Sequence, residues 1–89
     1  MPSGDTVVVY GRDNCGYTRR TLASLRASNV PVTYVDIDYP DASGFFHDKF
    51  DGTSLAGERG YALPVVEVAG RASMRPDPEI VARQFRRRR

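Results

Sequence analysis

The chain has 89 residues, of which 40% are hydrophobic and 27% are charged, and its formal net charge is +2. A chain of this length is expected to form one domain and not several. The apolar content is enough to build one small core, which excludes a disordered segment. A single cysteine also excludes an internal disulfide framework and a multi-cysteine zinc site within one chain.

The basic residues are concentrated at the carboxyl end. Arg86 to Arg89 account for four of the thirteen, so the rest of the chain is neutral to slightly acidic. We expect this run to be a solvated helix end, because basic residues interleaved with aromatic ones, typical of nucleic-acid binding, are missing. The amino-terminal residues lack a basic stretch followed by an apolar run, and no segment approaches the ~20 apolar residues of a membrane span. We therefore expect a cytoplasmic monomer that binds neither nucleic acid nor membrane.

A strand, a helix and a second strand are predicted in the first part of the chain. Thr6 to Tyr10 is an unbroken apolar run rich in β-branched residues, which favours a buried central strand. Apolar residues at helical spacing predict an amphipathic helix from Tyr17 to about Ser28, which ends before Pro31. Val32 to Ile37 is the predicted second strand. The residues expected on the buried face of the helix are Thr18, Leu22 and Leu25.

The middle of the chain predicts a second helix followed by a loop. Pro40 suits a first helical turn, and Ala42, Phe46 and Phe50 recur every four residues after it. Asp51 to Gly60 contains three glycines and several small polar residues, which are typical of a connecting loop. A short helix and a flexible connection are therefore expected.

Two short strands and a last helix are predicted in the final third. Val65 to Val68 is apolar and β-branched, and a turn at Ala69-Gly70 leads to a further short strand at Arg71 to Ser73. Asp77 is the predicted N-cap of the last helix, with Pro78 at its first position. The residues expected on the buried face of that helix are Ile80, Val81, Gln84 and Phe85.

The predicted order is βαβαββα, in a single domain over residues 1–89. The first five elements alternate strand and helix, which indicates an α/β protein with a four-stranded mixed sheet and three helices packed on its faces. In such sheets functional groups gather where the carboxyl end of a strand leads into a helix. Cys15 lies at such a junction.

Cys15 is expected to be a reactive thiol. A helix amino terminus favours the thiolate through its partial positive charge and its unpaired N–H groups. Arg12, Arg19 and Arg20 add positive charge nearby, so a lowered pKa is expected for the Cys15 thiol. The alternative is a buried, inert cysteine, but the sequence neighbours of Cys15 are polar. His47, the only histidine, is predicted to be a surface residue and not a partner of Cys15.

Several segments, in their order and spacing, resemble the glutaredoxin family. Val7 to Thr18, V-V-V-Y-G-R-D-N-C-G-Y-T, resembles the first strand and the Cys-x-x-Cys or Cys-x-x-Ser loop of glutaredoxins. Val35 to Asp38 is similar to their second strand, and Leu63 to Val66 to the segment that carries a cis-proline. Arg75 to Asp77 is similar to the Phe-Arg-Pro-Asp stretch of redoxins that serve ribonucleotide reductase. Cys-Gly-Tyr is shared with mycoredoxin-type proteins, and the resemblance covers about residues 6–85.

The resemblance implies a thioredoxin-like (glutaredoxin) fold and a thiol–disulfide oxidoreductase. Cys15 is then the attacking thiolate. Arg12 lies where glutaredoxins carry a basic residue that meets a carboxylate of the small thiol, and Tyr17 flanks that thiol. Leu63 presents its backbone N–H and C=O to the substrate, as in strand addition, and Pro64 follows a cis peptide bond.

Three further features of the sequence refine this interpretation. Asp77 either holds an ammonium group of the small thiol or serves only as a helix cap. Thr18 replaces the second cysteine, so Cys15 acts as a monothiol, and the Thr18 hydroxyl is expected to donate a hydrogen bond to the thiolate. Met74-Arg75 replaces a glycine pair found in many glutaredoxins. Service to ribonucleotide reductase is not expected, because it needs both cysteines.

The expected reaction reduces mixed disulfides between proteins and a low-molecular-weight thiol, with glutathione or mycothiol as the co-substrate. No tightly bound cofactor and no metal site are expected. Two alternatives remain open. One is an iron–sulfur carrier, in which Cys15 of two copies and two small thiols bridge a 2Fe–2S cluster, because Cys-Gly-Tyr-Thr is close to the Cys-Gly-Phe-Ser of cluster-binding glutaredoxins. The other is a non-catalytic interaction module that uses the tail of residues 86–89.

Overall fold

Seven elements follow one another in the predicted order, βαβαββα, in a computed structural model that describes residues 6–53, 55–56 and 60–87. They are β1 (Val7–Gly11), α1 (Gly16–Ala27), β2 (Val32–Asp36), α2 (Pro40–Phe50), β3 (Val65–Val68), β4 (Arg71–Met74) and α3 (Pro78–Arg86). Most boundaries lie within one residue of the predicted ones. The predicted loop over residues 51–60 and the basic tail over residues 86–89 lie partly outside the described residues.

The strands form one mixed sheet in the order β2-β1-β3-β4. β1 pairs in parallel with β2, with Val9 opposite Tyr34, and antiparallel with β3, with Val9 opposite Val66. β3 and β4 form a hairpin. Its turn residues, Ala69 and Gly70, have φ angles of 50° and 84°, the left-handed conformation that type I′ hairpin turns require. The prediction that the first strand is central is confirmed.

Helices cover both faces of the sheet. The side chains of β1 alternate between the two faces, so this strand contributes to a core on each side. Val7 and Val9 contribute to a core shared with α1 and α3, whereas Tyr10 contributes to a core shared with α2. The first core contains Val7, Val9, Leu22, Leu25, Val30, Val66, Val68, Val81 and Ala82. The second contains Tyr10, Ile37, Phe46, Phe50 and Val65. Burial of a Val, Leu, Ile or Phe side chain stabilises the fold by about 1.5–3 kcal/mol, and β1 contributes residues to both cores.

α3 presents a different face to the core than the sequence predicts. Val81 and Ala82 are buried and Phe85 is half-buried, whereas Ile80 is 46% exposed and Gln84 is exposed. The predicted burial of Ile80 and Gln84 is therefore wrong. One step along a helix turns the side chain by about 100°, so packing Val81 and Ala82 against the core directs Ile80 towards solvent.

The end of β1 lies directly against the first turn of α1. A Cβ added at Gly11 would collide with Oγ1 and Cγ2 of Thr18, whose side chain is fully buried. Glycine alone leaves room for this contact. Gly11 therefore sets the distance between β1 and α1, and with it the position of the loop over residues 12–15.

We expect Gly11→Ala to lower the free energy of unfolding by about 1–3 kcal/mol, because the added methyl group overpacks the contact with Thr18. Gly44→Ala is the matched control, since nothing lies within 4 Å of a Cβ added there in α2. The better helix propensity of alanine should raise the free energy of unfolding by about 0.5–1 kcal/mol at that position. Urea denaturation measures both changes. A Gly11→Ala protein as stable as the unsubstituted chain contradicts the assigned contact.

Candidate active site

Cys15 is the N-cap residue of α1 and follows a tight turn. Its backbone N–H donates to the carbonyl of Arg12 at 3.1 Å, and its carbonyl accepts from the N–H of Arg19 at 3.1 Å. These bonds hold the backbone on both sides of the cysteine. The thiol itself is partly exposed, so an incoming disulfide can reach it.

The surroundings of Cys15 lower the pKa of its thiol. The largest cause is the hydrogen-bond donor on the Thr18 side chain, and the backbone N–H groups of Thr18 and, more weakly, of Tyr17 act in the same direction. The charge of Arg75 acts in the same direction, whereas burial opposes the shift. Donors aimed at the charged form stabilise it, so the first turn of α1 is the main stabiliser of the thiolate.

Thr18 links the loop and the thiol from inside the protein. Its Oγ1 accepts a hydrogen bond from the backbone N–H of Arg12 at 3.4 Å, which leaves the hydroxyl hydrogen for Cys15. The Thr18 side chain is fully buried, so water does not compete for that hydrogen. The structure thus brings together the two residues that the sequence assigns to catalysis.

Two of the arginines expected to lower the pKa of Cys15 are bound elsewhere. Arg12 Nε lies 3.0 Å from Oδ1 of Asp38, and both side chains are 51% exposed. Arg19 donates to the backbone carbonyl of Asp13 at 2.8 Å. Arg12 and Arg19 therefore brace the loop before α1, and neither is among the groups that lower the pKa of Cys15.

Arg20 and Arg75 both contact the ring of Tyr17. Their Cζ atoms lie 4.8 and 3.8 Å, respectively, from the ring centroid. Arg75 is the arginine whose charge lowers the pKa of Cys15. The positive charge near the thiol thus comes from Arg75, which is remote from Cys15 in sequence.

The Leu63–Pro64 segment is held by Arg75. Its peptide bond is cis, as the resemblance implies, and the Pro64 side chain is fully buried. The backbone N–H of Arg75 donates to the Pro64 carbonyl at 2.7 Å, and its Nε donates to the Leu63 carbonyl at 2.8 Å. Arg75 thus connects this segment to Tyr17 and α1.

Arg75 is the site residue that sequence reasoning missed. Its φ angle is 47°, in the left-handed region that favours glycine. The available signal was the replacement of the family's glycine pair by Met74-Arg75, since an arginine in that place brings a guanidinium to the site.

Asp77 is the N-cap of α3, as predicted. Its Oδ1 accepts a hydrogen bond from the N–H of Glu79 at 2.9 Å. It also lines a cleft of about 750 Å3 together with Tyr17, Arg20 and Arg75. The capping bond occupies one carboxylate oxygen, so an additional role toward a bound ammonium group is compatible with the cap.

A second cleft, of about 210 Å3, is lined by Arg12 and Leu63 together with His47 and Tyr61. His47 is half exposed, as expected of a surface residue, and its Nδ1 lies 3.1 Å from Oδ1 of Asp51. Hydrogen bonds from Tyr61 and His47 lower the pKa of the Asp51 carboxyl. His47 therefore lines the same cleft as the predicted site residues Arg12 and Leu63. Its ring nitrogen, however, contacts the Asp51 carboxylate.

Within residues 6–53, 55–56 and 60–87, no three His, Cys, Asp or Glu side chains are grouped as metal ligands. The same residues contain no helix that is long and apolar enough to cross a membrane. Since the chain has one cysteine, an iron–sulfur cluster bound through two cysteine sulfurs would need a second copy of the chain.

Comparisons with known proteins identify the fold. No protein-family model matches the chain, and no curated protein matches it significantly. The chain is similar to the crystal structure of a glutaredoxin from Archaeoglobus fulgidus, with a TM-score of 0.69 and 23% sequence identity over 92% of this chain and 87% of that one. The thioredoxin-like fold that the sequence resemblance implied is thereby confirmed.

We expect Thr18→Val to raise the pKa of Cys15, because it removes the hydroxyl that contributes most to the lowered value. Alkylation of Cys15 by iodoacetamide should then be several-fold slower at neutral pH and unchanged at high pH, where the thiolate is fully formed in both proteins. Thr21→Val is the control, since Thr21 is also buried in α1 but is not among the groups that shift the pKa of Cys15. Identical pH profiles for all three proteins refute the role given to the Thr18 hydroxyl.

Proposed function

We propose that this protein is a monothiol thiol–disulfide oxidoreductase that reduces mixed disulfides between proteins and a low-molecular-weight thiol. The observation that carries the proposal is the state of Cys15: a partly exposed thiol with a lowered pKa at the amino terminus of α1. Thiolate character and access are the two conditions for attack on a disulfide sulfur. The fold shared with a glutaredoxin supports the same reaction class.

The proposed cycle has two exchange steps. The Cys15 thiolate attacks the small-thiol sulfur of the mixed disulfide. A Cys15–small-thiol disulfide forms, and the protein substrate leaves as a thiolate that takes a proton from water. A second small thiol, as its thiolate, then attacks the small-thiol sulfur on Cys15. This step releases the oxidised small-thiol dimer and restores the Cys15 thiolate, so each mixed disulfide consumes one free small thiol, and the dimer joins that thiol to the one released from the substrate.

The second step must be intermolecular because Thr18 stands where a resolving cysteine would be. A hydroxyl cannot displace a thiolate from a disulfide to form a new sulfur–sulfur bond. Glutathione or mycothiol is therefore proposed as the co-substrate and thiolated proteins as the substrates, in a reducing cytoplasm. No tightly bound cofactor is part of this cycle.

Residues around Cys15 are proposed to hold the small thiol. Leu63 would pair its backbone with the bound thiol as a single rung of sheet. Its carbonyl already accepts a bond from Arg75, but a carbonyl oxygen has a second lone pair. With glutathione as the thiol, Arg12 would meet one of its carboxylates. The exposed ion pair of Arg12 with Asp38 contributes at most about 1 kcal/mol, so that pair can open. Tyr17 and Asp77 would flank the other end, in the larger cleft.

We expect one small-thiol adduct on Cys15 after incubation with oxidised glutathione or with oxidised mycothiol, and none in Cys15→Ser. Intact-protein mass spectrometry measures the adduct, and addition of the reduced thiol should remove it. An adduct with one oxidised thiol and not the other identifies the co-substrate. No adduct with either refutes the proposed function. A stable, Cys15-dependent brown chromophore after anaerobic reconstitution with iron and sulfide would favour the iron–sulfur carrier instead.

We expect Thr18→Cys to restore a dithiol. The Thr18 side chain is close enough to Cys15 to lower the pKa of its thiol, so we expect a sulfur placed there to lie within reach of the Cys15 sulfur. After mild oxidation, the variant should lose two hydrogens by mass, and its glutathione adduct should resolve without added thiol. Thr21→Cys is the control, because that residue lies one helical turn further along α1. A Thr18→Cys protein that keeps both thiols free under these conditions contradicts the assigned geometry.

A further inference from the structure

α1 and α3 lie side by side on one face of the sheet and run in the same direction. Both contribute side chains to the same core, whereas α2 packs on the other core. Near the amino ends of the two helices, Tyr17 contacts Arg75, which lies three residues before α3 begins. At their carboxyl ends, Arg86 Nη2 donates to the Ser28 carbonyl at 3.4 Å. Both helices therefore begin beside Cys15 and lead away from it.

The exposed sides of these two helices are rich in arginine. α1 contains three arginines and no acidic residue, and α3 with its C-cap residue contains three more against one acidic residue, Glu79. All six arginines are exposed, and we call them the basic face: Arg19, Arg20, Arg26, Arg83, Arg86 and Arg87. On the other face of the sheet, α2 contains two aspartates against one lysine and ends at an aspartate. The charge of the fold is therefore separated between the two sides of the sheet.

No arginine of the basic face forms an ion pair with another described residue. Arg19 and Arg86 each donate a hydrogen bond to a backbone carbonyl, which does not neutralise their charge. Like charges on neighbouring helices repel one another, and carboxylates of a partner would relieve that repulsion through bidentate hydrogen bonds. The three ion pairs in the described part of the chain lie outside both helices and join Arg12 to Asp38, His47 to Asp51, and Lys49 to Glu67.

The occupant that fits this face is an acidic segment of a protein. Because both helices begin beside Cys15, a chain that lies along them brings a neighbouring cysteine within reach of the sulfur. The 9 residues of α3 span about 13 Å, a distance that an extended peptide covers in about four residues. Single-stranded nucleic acid fits less well, because its binding sites combine basic residues with aromatic stacking platforms. Tyr17 is the one exposed aromatic residue of the two helices.

We propose that the basic face docks an acidic segment of the protein substrate, and so selects mixed disulfides whose cysteine lies about four to eight residues from clustered carboxylates. This inference rests on the proposed function and specifies its protein substrates. Docking leaves the exchange itself unchanged: the Cys15 thiolate attacks the disulfide, a new sulfur–sulfur bond forms as the old one breaks, and the leaving sulfur takes the negative charge. The attraction between the two surfaces speeds the encounter of acidic substrates with Cys15.

The test compares two synthetic peptides that react with Cys15 and differ only in charge. Each carries one cysteine as a mixed disulfide with 2-thiopyridine and, beyond a neutral spacer of about four residues on each side, a stretch of either glutamate or glutamine. Cys15 attacks the peptide sulfur, and the 2-thiopyridone that leaves is measured by its absorbance. The ratio of the two rate constants at one pH is the readout, and it cancels any change in the thiolate fraction. We expect the unsubstituted protein to prefer the glutamate peptide, and added salt to weaken that preference.

Arg83→Gln and Arg87→Gln should each reduce the ratio by about 2- to 5-fold, the size expected of one exposed charge pair, and the double variant should reduce it further. The two residues lie four apart on one side of α3, and neither lines the cleft beside Tyr17. Both are exposed, so neither substitution disturbs a core. Lys49→Gln is the matched control, because it removes one positive charge from α2, on the other face of the sheet.

The outcomes separate the inference from the proposed function. Reaction with both peptides at a ratio that the double variant leaves unchanged overturns the docking face and leaves the oxidoreductase standing. Absence of any reaction at Cys15 of the unsubstituted protein with either peptide overturns the proposed function itself. A ratio reduced equally by Lys49→Gln shows a diffuse effect of net charge and also overturns the docking face. So does a DNA duplex that binds through Arg83 and Arg87 more tightly than the glutamate peptide does, because nucleic acid is then the occupant.

Discussion

The contact between Gly11 and Thr18 decides where the reactive sulfur lies. It holds the end of the central strand against the first turn of α1 at a distance that no other residue permits. Cys15, at the end of the short loop between them, is the N-cap residue of α1. The same buried threonine bonds the loop at Arg12 and lowers the pKa of the Cys15 thiol. One packing contact therefore supports both the fold and the chemistry.

The elements with strong local signals were predictable from sequence. The β-branched run before Gly11 identified the central strand, and the spacing of Leu22 and Leu25 identified the buried face of α1, because burial imposes those patterns directly. The exposure of Ile80 was not predictable in this way. The apolar spacing in α3 fits two rotations that differ by one residue, and only packing against α1 and β3 selects between them.

The composition of the site was less predictable than the position of its cysteine. Arg12 and Arg19 are close to Cys15 in sequence, yet nearby backbone and carboxylate groups bind them. Arg75 is remote in sequence, and it reaches the thiol because the hairpin of β3 and β4 returns it to α1. An arginine in the left-handed conformation carries a backbone cost of order 1–3 kcal/mol, which its bonds to Leu63 and Pro64 and its stacking on Tyr17 offset. Such compensation depends on three segments meeting in space, and no local pattern encodes it.

The solitary thiol also determines how the protein meets oxidants. A low-pKa, accessible cysteine reacts with peroxide to give a sulfenic acid, and a neighbouring thiol usually traps that acid as a disulfide before it is oxidised further. Thr18 offers no sulfur for this purpose, and the chain contains no other cysteine. Protection from irreversible sulfinic and sulfonic acids must come from thiols in solution. For the proposed oxidoreductase, the lifetime of the active protein under oxidative stress therefore depends on the surrounding thiol concentration, and the features that would make Cys15 reactive would also expose it to irreversible oxidation when that supply fails.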